Sequence, residues 1–201
     1  TVRRLVDTGE QVTIGILGEG LTSRPGGAEE ADLEALRKQA RDAASVLGVD
    51  SVLFAGLPDN RFDSMPLLDV IQVVEGWIDE LRPSAVYTHH GGDLNVDHKV
   101  TFQAVVTATR PVSGQSVREL YSFEVPSSTE WAFGDSDSAF MPNRFVDVSE
   151  TIEAKIQAMA CYEGESRAFP HPRSPEALRA YATRWGSVAG VGAAEAFQVV
   201  R

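Results

Sequence analysis

Four short apolar runs alternate along the chain with segments whose apolar residues recur at helical spacing. The runs cover residues 11–17, 51–55, 85–89 and 120–125. They are apolar throughout rather than at every second position, which is typical of strands buried on both faces of a parallel sheet. Between them, residues 33–47 and 67–81 place apolar side chains on one face of a helix. We therefore predict a doubly wound, Rossmann-like α/β fold, with a mainly parallel sheet and helices on both of its faces.

The domain organisation follows from the length and from the first residues. A chain of 201 residues fits a single domain over residues 1–201. Residues 1–8 have the pattern of the end of a helix closed by Gly9, and no strand stands before them. Because the crossover units of a parallel sheet run from strand to helix to strand, we expect a first strand to be missing upstream of residue 1.

Charge and composition limit the partners. The chain has 18 Lys and Arg against 29 Asp and Glu, a net charge of −11 that would repel a phosphate backbone, so we expect no nucleic-acid partner. No apolar run approaches the roughly 20 residues that cross a bilayer, so we expect no membrane insertion. The single cysteine, Cys161, cannot form an internal disulfide, which favours a cytoplasmic location. We predict a small-molecule ligand and leave assembly into a homo-oligomer open.

The segment after the run at 85–89 concentrates chemistry-bearing side chains. Three of the four histidines, together with Asp93 and Asp97, lie within residues 89–98. Ligands of open α/β sheets bind beyond the carboxyl ends of the strands, so this segment is expected at the site. Asn95 is a helix cap that would place Asp97 and His98 on the first helical turn. One interpretation makes His98 a ligand of a divalent metal, zinc being the ion that suits imidazole; the other is a helix cap beside structural histidines.

Three further loops carry candidate residues, each with two interpretations. Arg61 would contact substrate or an oxyanion, or else lie ion-paired in an Asx turn. Ser128 and Trp131 offer a hydroxyl beside an aromatic face, which suits a sugar, or else form a polar loop fixed by a half-buried indole. His171 and Arg173 belong to the main basic concentration of the chain, which would receive an anionic group or balance nearby glutamates.

Several segments, taken in order, resemble the LmbE-like or PIG-L family of zinc-dependent de-N-acetylases. They read GLPDNRFDS, YTHHGGDLNVDH, SFEVPSSTEW, PHPRS and AEAF, and the resemblance extends over nearly all 201 residues. It implies a Rossmann-like fold and removal of the acetyl group from N-acetylglucosamine units of sugar conjugates.

The resemblance also implies a zinc site. In the family a His and an Asp of an Ala-His-Pro-Asp-Asp-Glu type motif bind zinc together with the His of a downstream Asp-His pair. His98 matches that last ligand, and Asp97 matches its acidic neighbour, which we take as a catalytic residue. No His-Pro-Asp-Asp run occurs in the sequence. The resemblance therefore supplies one zinc ligand of three.

The proton donor of the family also differs here. Many relatives carry a His three places before the metal-binding His, where this chain has Asn95, which cannot act as an acid. The role would pass to another imidazole. The candidates are His89, His90 and His171. Sugar hydroxyls would meet Asn60, Asp93 and the loop of Ser128 and Trp131.

Three functions follow. The first is zinc-assisted hydrolysis of the N-acetyl group of an N-acetylglucosamine-type sugar conjugate. The second is a non-catalytic fragment that binds a sugar or nucleotide-sugar, because two of the three metal ligands are absent from this chain. The third is a different α/β hydrolase or transferase that uses His98 as a base without a metal.

Overall fold

The computed structural model of the chain describes residues 1–22, 29–133 and 139–201. The helices and strands follow in the order α1 (Val2–Asp7), β1 (Thr13–Glu19), α2 (Glu30–Val46), β2 (Ser51–Pro58), α3 (Leu67–Leu81), β3 (Ala85–His89), α4 (Val96–Ala108), β4 (Glu119–Phe123), β5 (Arg144–Asp147), α5 (Ile152–Ala160), α6 (Pro175–Ala189) and β6 (Ala194–Val199). Short 3-10 turns lie at Phe62–Ser64 and Thr129–Trp131. None of the described helices is long and apolar enough to cross a membrane.

The chain forms two compact units. The first contains residues 1–58 and 145–195, and the second contains residues 59–144 and 196–201. The predictions of a single domain over residues 1–201 and of a strand upstream of residue 1 stay predictions.

In the first unit, β1 and β2 form a two-stranded parallel sheet. Thr13 pairs with Ser51 at its start and Glu19 pairs with Pro58 at its end. Helix α2 packs on β2 and on α5, and α5 packs on α6. The alanines of α2 that face inward are Ala40, Ala43 and Ala44. Small side chains there let the helix approach its neighbours closely.

In the second unit, β3 and β4 are parallel neighbours. Their register runs from Ala85 opposite Glu119 to His89 opposite Phe123, and β6 joins the other edge of β4 in antiparallel orientation. The four-stranded sheet has the order β3-β4-β6-β5. Helix α3 packs on α4, which packs on β3. The loops that follow the parallel strands β3 and β4 therefore begin side by side.

The α/β class and the parallel pairs are confirmed. The four apolar runs are strands, with shifts of a few residues at their ends. Residues 33–46 fall in α2, which residue 47 caps, and residues 67–81 form α3. Strands β5 and β6 were not predicted, and β6 adds an antiparallel pair to the parallel ones. Helix α6 ends at Gly190, whose φ of 75° closes the helix, and β6 starts only four residues later. The short connection from α6 to β6 has no sequence pattern that predicts it.

Candidate active site

The turn from β3 to α4 carries the histidine segment. Strand β3 ends at His89, and Asn95 caps α4 by accepting the backbone N–H of Asp97 at 2.8 Å, as predicted. Within the turn, a Cβ added to Gly91 would lie 2.6 Å from the Phe102 ring of α4. Glycine thus permits the turn to pass directly over the helix. The result places Asp97 and His98 on the first helical turn.

The imidazole of His98 lies against a buried carboxylate. Its Nδ1 is 3.0 Å from Oδ1 of Asp93, and about a fifth of the His98 side chain is exposed. Asp93 itself is fully buried. The N–H direction of Nδ1 lies well off the line to the oxygen, so the pair is a close electrostatic contact rather than a straight hydrogen bond.

Three further donors converge on Asp93. The backbone N–H of Asn95 donates to Oδ1 at 2.9 Å, the Ser128 hydroxyl donates to the same oxygen, and the Thr129 hydroxyl donates to Oδ2 at 2.6 Å. Burial by itself raises the pKa of Asp93, but the contact with His98 and the hydrogen bonds from Ser128, Thr129 and Asn95 outweigh it and hold the pKa well below its usual range. Asp93 is therefore ionised in a buried position, and its predicted contact with sugar stays a prediction.

His89 covers one face of the His98 ring. The two ring centroids are 4.1 Å apart, and the ring planes differ by 16°. Burial, with the charge of His98 as a second cause, lowers the pKa of His89 to about 3, so its ring is neutral at pH 7. Its Nδ1 is buried without a hydrogen-bond partner among the described residues. A ring with so low a pKa is a poor proton donor near neutrality.

Asp97 holds the loop that follows β2. Its two carboxylate oxygens accept the backbone N–H groups of Asn60, at 2.6 Å, and of Phe62, at 3.0 Å. Asn60 has a positive φ of 52°, and its side-chain oxygen accepts Asn95 Nδ2 at 3.3 Å. Burial raises the pKa of Asp97, and the two backbone hydrogen bonds oppose that rise. Asp97 therefore holds this loop in place. Its predicted part in catalysis stays a prediction.

The other predicted residues of the second unit differ in exposure. His90 is 7% exposed, and its ring meets the Phe140 ring edge-on with centroids 5.4 Å apart. Arg61 is exposed at the start of the turn Phe62–Ser64. Ser128 is buried with its hydroxyl committed to Asp93, whereas Trp131 is 39% exposed three residues further along.

His171 and Arg173 lie in the first unit, where they contact each other. The backbone N–H of Arg173 donates to His171 Nδ1 at 3.1 Å, and the Arg173 guanidinium forms an ion pair with Glu165. The predicted balance of this basic group against a glutamate is therefore present. Binding of an anionic group at these two residues stays a prediction.

Two contacts of the site were missed by sequence reasoning. Thr129 was not singled out, although its hydroxyl binds Asp93, and His89 was weighed only as an acid rather than as the ring that packs on His98. The available signal for Thr129 was the run of hydroxyl residues at 127–129, which was assigned to sugar. Because the loops after β3 and β4 begin side by side, the hydroxyl groups of Ser128 and Thr129 reach the carboxylate of Asp93.

A cavity of about 670 Å³ lies in the first unit near the carboxyl ends of β1 and β2. Its wall includes Phe54 and Tyr162, and the charges of Glu19 and Arg37 meet there at 2.5 Å. The volume is that of a small-molecule pocket. None of the predicted site residues lines it.

The fit of a zinc ion can be judged from the two stacked rings. Two imidazoles that bind one ion must each direct a ring nitrogen at it from about 2.0–2.1 Å, in the plane of the ring. The rings of His89 and His98 lie face to face, so their nitrogens do not converge. Within residues 1–22, 29–133 and 139–201 no group of three His, Cys, Asp or Glu side chains is placed to hold a metal. These residues supply one oriented imidazole, His98, and do not by themselves form a zinc site.

Comparison with known proteins places this segment in a wider context. A family model described as PIG-L, GlcNAc-PI de-N-acetylase, matches residues 1–109, which include the turn from β3 to α4. The chain is 22% identical over 177 residues to a probable N-acetyl-alpha-D-glucosaminyl L-malate deacetylase 2 of Bacillus cereus, with 84% of this chain and 77% of that protein covered.

Two solved structures share the fold. The N,N'-diacetylchitobiose deacetylase of Pyrococcus horikoshii matches 99% of this chain and 76% of its own, with a TM-score of 0.76 and 17% identity. GalB, the 4-carboxy-2-hydroxymuconate hydratase of Pseudomonas putida, matches 100% of this chain and 88% of its own, with a TM-score of 0.72 and 18% identity. One fold thus carries a deacetylase and a hydratase, so fold likeness alone does not select the reaction.

Proposed function

Because the chain belongs to the PIG-L family of GlcNAc-PI de-N-acetylases, we propose that it hydrolyses the N-acetyl group of an N-acetylglucosamine-type sugar conjugate. Deacetylation of such conjugates is supported at the level of the family and by the name of the Bacillus relative. In this reaction water adds to the acetyl carbonyl carbon, the carbon–nitrogen bond breaks, and the nitrogen takes up a proton. The products are acetate and a sugar amine.

The observation that carries this proposal is the setting of His98. The ring stands on the first turn of α4, beyond the carboxyl end of β3, with Nδ1 turned to a buried carboxylate. Its other nitrogen, Nε2, is then the one left to act on a ligand. Residues 1–109, which the family model matches, include this whole arrangement of β3, turn and α4.

The finer proposal is that zinc takes part, with His98 as one of its ligands. It rests on the likeness of the pair Asp97–His98 to the Asp-His pair of the family, and it requires further ligands from outside the described residues. We also propose substrate contacts for the exposed Arg61 and Trp131, and for Asn60, which lies beside the cap of α4. Asp93 and Ser128 are proposed to contact sugar as well. We further propose that Asp97 and His90 act in catalysis and that His171 and Arg173 bind an anionic group.

The second candidate is sugar binding without catalysis. The observation that favours it is the lack of a three-ligand group within the described residues, since one imidazole alone does not retain a catalytic zinc. A binding module would hold the same sugar conjugate and leave its acetyl group in place.

The experiment compares acetate release with sugar binding. The purified protein is incubated with N-acetylglucosaminyl conjugates, with added zinc and with a strong chelator, while acetate is followed by proton NMR and bound zinc by elemental analysis. The function proposed here predicts acetate from the wild type and at least a hundredfold loss in His98→Asn. The matched control is Lys99→Ala, which alters the exposed next residue of α4. Binding of the conjugate without acetate release would favour the second candidate, and neither binding nor release would reject both.

A further inference from the structure

Asp93 is completely buried, and a buried carboxyl group is costly unless its oxygens accept hydrogen bonds. Three donors bind its oxygens, from Asn95, Ser128 and Thr129, and Nδ1 of His98 lies 3.0 Å from Oδ1. Its side chain has no exposed surface, and the groups that it contacts are those of the protein. Its influence on the site must pass through the groups that it contacts.

We propose that Asp93 is a positioning residue that fixes the tautomer of His98 and, through the same carboxylate, anchors the loop that carries Trp131. The inference rests on the proposed function, because it takes His98 as the residue that acts on a ligand. The contacts of Asp93 with His98 and with the loop after β4 are observed in the structure whatever the function is.

The first part of the argument concerns the His98 tautomer. A neutral imidazole carries its hydrogen on one ring nitrogen and a lone pair on the other. A carboxylate oxygen 3.0 Å from Nδ1 repels a lone pair at that atom and attracts an N–H. Nδ1 therefore carries the hydrogen and Nε2 the lone pair, which is the form that binds a metal or takes up a proton. His89 packs on the ring face and limits its rotation.

The second part concerns the loop after β4. The hydroxyl of Thr129 accepts the backbone N–H of Val125 at 2.7 Å, so its own hydrogen is directed to Asp93 Oδ2. The Ser128 hydroxyl binds the other oxygen. The start of the short turn Thr129–Trp131 is thus fixed to one carboxylate through two adjacent residues. A movement of Asp93 would displace the His98 ring and the Trp131 indole together.

The test is a tautomer measurement by nitrogen-15 NMR on histidine-labelled protein, in mildly alkaline buffer where an ordinary imidazole is neutral. In the wild type the Nδ1–H form of His98 is expected to exceed the Nε2–H form by at least about tenfold, which corresponds to about 1.4 kcal/mol. In Asp93→Asn the side-chain amide can donate to Nδ1, so the ratio is expected to fall to within about threefold of unity or to invert.

A second variant distinguishes the effect of Asp93 on the His98 tautomer from its effect on the loop that carries Trp131. Ser128→Ala removes a loop contact and keeps the carboxylate, so it is expected to shift the indole N–H signal of Trp131 and to leave the His98 tautomer unchanged. Asp93→Asn is expected to shift both signals. The matched control is Asp147→Asn, which removes a carboxylate that accepts two hydrogen bonds from Ser149 in the first unit, and it should shift neither.

The NMR signals of His98 and Trp131 test the positioning role without any measurement of activity. A wild-type protein in which His98 is mainly the Nε2–H form overturns the proposal, and this result does not depend on the folding of any variant. An unchanged tautomer in folded Asp93→Asn also overturns it. Absence of acetate release with the predicted tautomer shifts would reject the deacetylase function and keep the positioning role.

Discussion

Replacement of Gly91 by alanine tests the close passage of the β3–α4 turn over the helix. The added Cβ would lie 2.6 and 2.7 Å from two atoms of the Phe102 ring. Those separations are about 1 Å shorter than the roughly 3.5–4.0 Å of an ordinary carbon contact. Gly91 and Phe102 are both half-buried, and relief of such an overlap costs about 1–3 kcal/mol. Gly91 does not have a positive φ, so alanine recovers about 0.4–1 kcal/mol by restricting the unfolded chain.

The net expectation for Gly91→Ala is a loss of about 0–2.6 kcal/mol in the free energy of unfolding. Urea denaturation followed by circular dichroism measures it, and with a slope of about 2 kcal/mol per molar the midpoint should fall by up to about 1.3 M. The control is Gly76→Ala within α3, where an added Cβ meets nothing within 4 Å and should stabilise by about 0.5–1 kcal/mol.

A second substitution identifies the cause of that loss. Phe102→Leu shortens the side chain that the new methyl group meets, so Gly91→Ala should cost at least about 0.5 kcal/mol less in that background, a coupling of the size seen for contacting residues. If Gly91→Ala proved as stabilising as Gly76→Ala, the described approach of turn and helix would be incorrect.

Three further predictions concern stability and local opening. Gly186→Ala should destabilise by about 2 kcal/mol or more in a urea titration, because the added Cβ would lie 2.7–2.9 Å from backbone atoms that cannot rotate aside; an unchanged midpoint would contradict this. Thr129→Val should cost about 1–3 kcal/mol by removing a donor from the buried Asp93, whereas Ser187→Ala, which loses only an exposed hydroxyl bond to a helix carbonyl, should change the midpoint little. Asp97→Asn should speed hydrogen exchange of the loop amides that Asp97 binds by about tenfold or more, and equal exchange in both proteins would remove the loop-holding role.

The part of the site that depends on local signals could be predicted from the sequence. The cap formed by Asn95 is a contact between residues two apart, and its outcome, His98 on the first turn of α4, follows from helix geometry alone. The strand before it was readable because its apolar residues are continuous. The cap and the strand can both be predicted from neighbouring residues alone, without information on residues far away in the sequence.

The role of the carboxylates could not be predicted in the same way. Asp93 and Ser128 are 35 residues apart, and a hydroxyl next to an aromatic side chain suits a sugar as well as it suits a buried carboxylate. The parallel pairing of β3 with β4 brings the two loops together, so the Ser128 hydroxyl reaches Asp93. Asp97 likewise has the chemistry of a catalytic acid or base, but its oxygens meet the backbone of a loop that begins 37 residues earlier.

The central claim is that His98 belongs to a site where water cleaves an N-acetyl group. The most direct measurement is mass spectrometry of acetate after incubation of an N-acetylglucosaminyl conjugate with the zinc-supplied protein in oxygen-18 water. We predict acetate with one heavy oxygen from the wild type and from Lys99→Ala, and a loss of at least a hundredfold in His98→Asn. Equal heavy acetate from His98→Asn and the wild type, or none from the wild type, would contradict the claim.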